Sequence, residues 1–258
     1  MEKSSIIYAG ERMVPMKKGF LILAITLWSI IAVIVLSATI LIAKGGPINI
    51  LNTGRLINML NTGRLIKNEE ISLRNDQNVV IESTRQNLEI RKTSGNKIIV
   101  SQYGNPNAKR GDLFFVSTSS DKVHIYIKSK FKFINFFNYN EKLLVEIPEE
   151  YFGNLDAIAS SGSIKVENEL TLKNVRLKNT SGSIKINNNI TADTLEVKTS
   201  SGGIRFYGYV TAKDVYAEAT SGSIRSSMDI NVDEKIILKC TSGGIHLDDD
   251  ITAKFSIS

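Results

Sequence analysis

The same five-residue phrase returns along the C-terminal half of the chain at almost constant spacing. It reads SGSIK at 161–165 and again at 181–185, SGGIR at 201–205, SGSIR at 221–225 and SGGIH at 242–246. The glycines at 162, 182, 202, 222 and 243 are therefore 20, 20, 20 and 21 residues apart. A period this regular constrains the fold as a whole before any single residue is interpreted.

One unit, residues 180–199, reads TSGSIKINNNITADTLEVKT. Ile184 and Ile186 alternate with polar residues, as do Leu195 and Val197. Both are period-two patterns, the mark of strands with one buried face. The segments SG and NNIT-AD carry turn residues and read as the corners. The same offsets yield inward pairs Ile164/Val166, Ile184/Ile186, Ile204/Phe206, Ile224/Ser226 and Ile245/Leu247 for the first strand. For the second strand they yield Val175/Leu177, Leu195/Val197, Val215/Ala217 and Ile236/Leu238. A unit of two short strands cannot bury its apolar face alone, but stacked units can, each pairing with its neighbours at ~4.8 Å per coil. The chain is thus expected to be all-β, a single-stranded β-solenoid of about 20-residue coils. The glycine is expected to serve a sharp backbone turn. The serine or threonine before it is expected to stack as a hydroxyl ladder able to bond the corner backbone. A sandwich of hairpins would not require like residues at a fixed step.

Residues 73–158 are strand-like but irregular, with runs such as NVVIES, NLEIRKTSG, KIIVSQYG and KLLVEIP divided by turn residues. KTSGNKI at 92–98 and STSSDKV at 117–123 read as degenerate corners. A solenoid end must be capped, so a departure from the repeat is expected there. At the other end the chain stops partway through a coil, and an uncovered edge could pair with a second copy.

Ahead of the strands lies an uncharged run, residues 19–43. As a helix it would extend about 37 Å at ~1.5 Å per residue, enough to cross a bilayer core of ~30 Å. It is longer than the apolar core of a cleaved signal peptide, and the small-residue pattern of a cleavage site is poor. Lys3, Arg12, Lys17 and Lys18 precede it, against Lys44 and Arg55 close behind. That bias expects a cytoplasmic tail at 1–18, a single-pass plasma-membrane anchor and an extracytoplasmic C-terminal domain. Residues 44–72, with LNTGRLI at 51–57 and again at 60–66, read as a juxtamembrane spacer, and 159–258 as the regular repeats.

Chemistry is sparse. Cys240 is the one cysteine, so no intrachain disulfide can form. It sits among apolar residues and reads as a small core side chain. The net charge of +6 is too mild and too dispersed for a nucleic-acid binder. No nucleophile triad, phosphate-binding glycine loop or carboxylate ladder is visible, so neither an enzyme nor a cofactor is expected. Asp248, Asp249 and Asp250 beside His246 read as a solvated loop, with no metal expected. Two features remain as candidate binding surfaces. The outward position of the first strand holds Lys165, Lys185, Arg205, Arg225 and His246, a column suited to an anionic envelope polymer or lipid headgroups. Residues 128–142 interleave lysines with Phe131, Phe133, Phe136, Phe137 and Tyr139, which would form a membrane- or glycan-contacting loop if exposed and an apolar lid if buried.

The order NLEIRKTSGNKIIVSQYG, DKVHIYIK, a variable loop, KLLVEIPEE, then ASSGSIKVEN and serial SG corners is similar to the bacterial family labelled "putative adhesin", of unknown function. The likeness covers about residues 73–258. It implies a β-repeat domain outside the membrane, held by one N-terminal helix. It also implies a non-catalytic binding or scaffold role at the cell envelope, in some members beside stress-response systems. The family supplies no catalytic residues to carry over.

Overall fold

The computed structural model of the chain describes residues 63–106, 108–128 and 141–253. The uncharged run at 19–43, expected to be an anchor, and the aromatic run at 131–139 lie outside them. Among the described residues no helix is long and apolar enough to cross a membrane. The chain first forms β1 (Arg64–Ser72), β2 (Asn78–Ser83), β3 (Asn87–Thr93), β4 (Lys97–Gly104), β5 (Phe114–Thr118), β6 (Lys122–Ile127) and β7 (Lys142–Pro148). The repeats follow as β8 (Asn154–Ala159), β9 (Ile164–Val166), β10 (Leu170–Asn179), β11 (Ile184–Ile186), β12 (Ile190–Thr199) and β13 (Ile204–Phe206). They continue through β14 (Val210–Ala219), β15 (Ile224–Ser226), β16 (Ile230–Cys240), β17 (Ile245–Leu247) and β18 (Ile251–Ala253). The only other regular element described is a single 3-10 turn at Arg110–Asp112.

The repeats are a β-solenoid. Each coil sends a three-residue strand to one sheet and a strand of about ten residues to the other, and every strand runs parallel to its neighbours above and below. Register is kept residue for residue: Ile184 lies between Ile164 and Ile204, and Leu195 between Val175 and Val215. The pairs expected to face inward are buried in the coils up to β15, including Ser226, whose hydroxyl donates to the Met228 carbonyl at 2.8 Å, while Ile236 and Leu238 of β16 are only half-buried.

The unit differs from the sequence expectation in one respect. The stretch read as the NNIT-AD turn contains the first three residues of β12, with Ile190 and Ala192 buried. Alternation breaks at the fourth and fifth residues of each long strand, where Lys173 and Asn174, Asp193 and Thr194, or Lys213 and Asp214 both point out. A bend at that point gives each coil three sides and a third inward pair, such as Leu170/Leu172 and Val210/Ala212. Ile245 and Leu247 depart from their expected burial, at 40% and 37% exposed. Inward side chains are covered by coils on both sides, and among the described residues no full coil lies beyond theirs.

The glycine ladder has a different cause from the expected one. No corner glycine has the positive φ that would exclude other residues. Each instead stacks its Cα on a carbonyl one coil back, Gly162 on that of Gln86, and then Gly182 on Gly162, Gly202 on Gly182, Gly222 on Gly202 and Gly243 on Gly222. A Cβ would overlap that carbonyl. The preceding serines are exposed, and three of the corner carbonyls are served from inside the coil. Asn179 Nδ2 donates to the Gly162 carbonyl at 2.5 Å, Thr199 Oγ1 to Gly182 at 3.0 Å and Cys240 Sγ to Gly222 at 2.8 Å. Cys240 is thus a corner donor as well as a half-buried neighbour of the core.

The irregular part is built by detour rather than by serial coiling. β2 and β3 form a coil directly beneath β8 and β9, with Val79 opposite Leu155 and Leu88 opposite Ile164. The intervening chain passes below to place β6 and β7 as the next coil down. β4 then runs antiparallel to β7, β1 to β4, and β5 to β6, so the end of the solenoid is closed by antiparallel strands. The segments at 92–98 and 117–123 are therefore chain reversals into antiparallel strands, not coil corners. The last nine residues of the expected spacer are likewise strand β1.

Tyr151 closes the junction between the detour and the repeats. It is 2% exposed, and its hydroxyl lies 2.9 Å from the Gln77 carbonyl and 2.8 Å from that of Asn154. One proton cannot serve both carbonyls fully. Burial raises its pKa from 10.0 to about 12 against backbone hydrogen bonds that lower it. A group whose folded pKa is raised favours folding below its unfolded pKa, and that contribution is lost as pH rises to the folded value. Stability should therefore decline between pH 10 and about 12. Tyr151→Phe should cost about 1–2 kcal/mol near neutrality, the price of leaving the two carbonyls unserved, and should flatten this alkaline limb. Urea midpoints across that range for the two proteins test it.

Candidate functional site

The three sides of each coil present three outer surfaces of different character. The second half of the long strands carries two columns of mixed charge. One runs Asp156, Arg176, Glu196, Tyr216 and the other Lys178, Lys198, Glu218, Lys239. These charges neutralise one another between coils. Arg176 grips Asp156 through Nε at 2.9 Å and through a second, shorter contact. Glu196 receives Lys198 at 2.6 Å and Lys178 at 3.5 Å, and Lys239 reaches Glu218 at 3.1 Å. Burial alone would raise the Glu196 carboxyl, but the two lysines outweigh it and hold it below the ordinary carboxylate range. Lys198 also covers the Tyr216 ring at 4.4 Å, and the Tyr216 hydroxyl donates to Glu218 at 2.7 Å.

The first half of the long strands presents Thr171, Thr191 and Thr211 in register, beside Lys173, Asp193 and Lys213. Lys213 pairs with Asp193 at 2.8 Å. With Phe152 at one end, these residues line an open groove of about 420 Å³. Among the described residues no group of three or more His, Cys, Asp or Glu side chains is placed to hold a metal ion.

The short strands carry the basic column. Lys165, Lys185, Arg205, Arg225 and His246 are brought together, each opposite the next in the parallel ladder. No carboxylate among the described residues pairs with the four cations. Glu89 lies directly opposite Lys165, but its carboxylate is turned to Lys142 at 3.2 Å and to Arg91. Adjacent unit charges ~5 Å apart in water repel by roughly 0.8 kcal/mol, less with screening and splayed side chains. The column is thus tolerated by the fold without any partner, yet it differs from the neighbouring surface, where the same coil spacing is used to pair opposite charges.

The second sequence candidate is not placed. Phe131, Phe133, Phe136, Phe137 and Tyr139 lie outside the described residues, within the connection from β6 to β7. Tyr207 and Tyr209, 41% and 47% exposed, stand outside both candidate surfaces expected from the sequence. Their signal was present: aromatic residues at repeat positions that hold Asn187 and Asn189 in the preceding coil and Ser227 and Asp229 in the next.

Comparison with known proteins places this architecture. The sequence profile of the family described as Toastrack DUF4097 matches residues 76–257. No curated protein sequence matches the chain. Among solved structures, a "putative cell adhesion protein" from Clostridium sporogenes is similar at 10% identity and a TM-score of 0.48, over 70% of this chain and 98% of that one. A "putative adhesin" from Bacteroides fragilis is similar at 16% identity and a TM-score of 0.38, over 70% and 96%. A "putative lipid binding protein" from Parabacteroides distasonis shares 17% identity at a TM-score of 0.28, over 74% and 97%.

Proposed function

This chain belongs to the Toastrack DUF4097 family, and from that premise we propose that it is a non-catalytic binding module of the cell envelope that holds a linear polyanion along its basic column. The observation that carries the reading is the contrast between two surfaces of one solenoid. On one, cations meet acids across coils; on the other, Lys165, Lys185, Arg205 and Arg225 stand in register without an acid among the described residues. A repeating ligand with one negative charge per coil step would satisfy all four at once and add their small individual attractions. The uncharged run at 19–43 fits a single-pass anchor, and the flanking charge fits a domain outside the cytoplasm. At the envelope such a module would grip an anionic polymer as a scaffold.

The test is binding of the full chain to isolated envelope fractions at low and high salt, beside a variant with Lys165, Lys185, Arg205 and Arg225 changed to Gln. Four exposed ion pairs at about 0.5 kcal/mol each predict roughly 30-fold weaker binding in the variant. Wild-type binding should also weaken as salt rises. Equal binding by the two proteins would reduce the column to a solubility device that keeps a regular β surface from pairing.

A further inference from the structure

The basic surface is not uniform along its length. Two residues past each cation, on the same side of the strand, stand Glu167, Asn187, Tyr207, Ser227 and Asp248. At these positions carboxylates stand only at the two ends, and that of Glu167 already accepts a hydrogen bond from Asn187 Nδ2 at 2.7 Å; Asp229 follows Tyr209 one coil on, at the outer edge of the surface. The middle coils put Lys185, Arg205 and Arg225 beside neutral neighbours, with Tyr207 at the centre. Across Gly208 from it stands Tyr209. Gly208 is packed so tightly on the backbone of Asn188 that no side chain rises between the two rings. Among the described residues neither ring stacks on another ring or lies under a cation, unlike Tyr216 on the neighbouring surface.

Resting on the anion-binding reading above, we propose that the ligand of this surface is a carboxylated polysaccharide centred on the coil that carries Arg205, Tyr207 and Tyr209. An extended pyranose chain advances by nearly one coil step per sugar and turns successive sugars to opposite sides, so a uronic acid polymer offers a carboxylate to alternate cations and a hydroxyl-bearing edge to those between. Each pyranose also has an apolar C–H face, which packs on a tyrosine ring while its hydroxyls bond the neighbouring Asn187 and Ser227. Tyrosine supplies such a surface with only two side-chain torsions to immobilise. A polyphosphate has the charge but no apolar face for the rings. A lipid surface would be met better by a broad cationic plane than by one column closed off by Glu167 and Asp248.

The experiment measures binding of the full chain to three probes of matched charge: an oligo-galacturonate, a linear polyphosphate and phosphatidylglycerol vesicles. It compares wild type with Tyr207→Ser/Tyr209→Asn, which takes up the residues of the neighbouring coils, and with Tyr207→Phe/Tyr209→Phe. The expected result is preference of the wild type for the oligo-galacturonate. The Ser/Asn variant should bind it roughly 5- to 30-fold more weakly, as expected for one or two lost aromatic contacts. Polyphosphate binding should stay within about twofold, as for other exposed substitutions. The Phe variant should stay close to wild type for the oligo-galacturonate. Equal binding of the oligo-galacturonate by wild type and the Ser/Asn variant overturns the proposal. Tighter binding of polyphosphate or vesicles overturns it while leaving the polyanion function standing. Failure of all three probes overturns both.

Discussion

Gly202→Ala should destabilise the solenoid by about 3 kcal/mol or more, the upper range for forcing atoms into a packed site. The new methyl group would meet the Gly182 carbonyl and, at 3.0 Å, the Ser183 amide nitrogen. These are main-chain atoms held in the ladder, so no flexible side chain can move aside. The coil above is tied in as well, because Gly222 stacks on the carbonyl of Gly202 itself. Gly203 is the internal control. Its Cβ would lie 3.3 Å from the Ser223 carbonyl oxygen, a contact that small adjustments absorb, and Ser163, Ser183 and Ser223 fill the same position in other coils. Gly203→Ser should stay within about 1 kcal/mol of wild type. Urea midpoints of the two variants measure the difference, and similar losses in both would refute close stacking as the reason for the ladder.

Phe206→Ala should cost about 3–5 kcal/mol, the range for truncating a buried phenylalanine. Phe206 is 1% exposed and lies in register between Ile186 and Ser226. The small Ser226 beside it cannot close the void, since its hydroxyl is committed to the Met228 carbonyl. Relaxation is also limited by the parallel ladder, which holds the coils above and below at a fixed spacing of ~4.8 Å. Tyr207→Ala, one residue along but facing out, should change stability by no more than about 0.5 kcal/mol. A loss below about 1 kcal/mol for Phe206→Ala would mean that the coil re-packs around the void, contrary to the register seen here.

Both effects follow from features that were visible to different degrees in the chain. The 20-residue step and the period-two alternation announced the solenoid, because like residues at a fixed step are what stacked coils require. They also announced the basic column, since Lys185 must stand over Lys165 once their flanking isoleucines share the core. The reason for the glycines was not legible. A turn with positive φ and a close approach of two backbones select the same residue, and only the folded structure separates them. The third side of each coil was hidden as well. Its strand contributes only the short run Ile190–Ala192, and the bend after it reads locally like any polar turn.

The sequence by itself determined the repeat, the inward pairs and the line of cations, since all three depend on short-range periodicity that every coil restates. Tertiary structure alone decided that β2 and β3 lie beneath β8 and β9 after a detour through β4 to β7. It also decided that Glu89 turns from Lys165 to Lys142 and Arg91, and that Tyr207 and Tyr209 are left open at the centre of the column. Those outcomes rest on contacts between residues far apart in the chain, where many pairings satisfy the same local pattern and only the packing of the whole selects one.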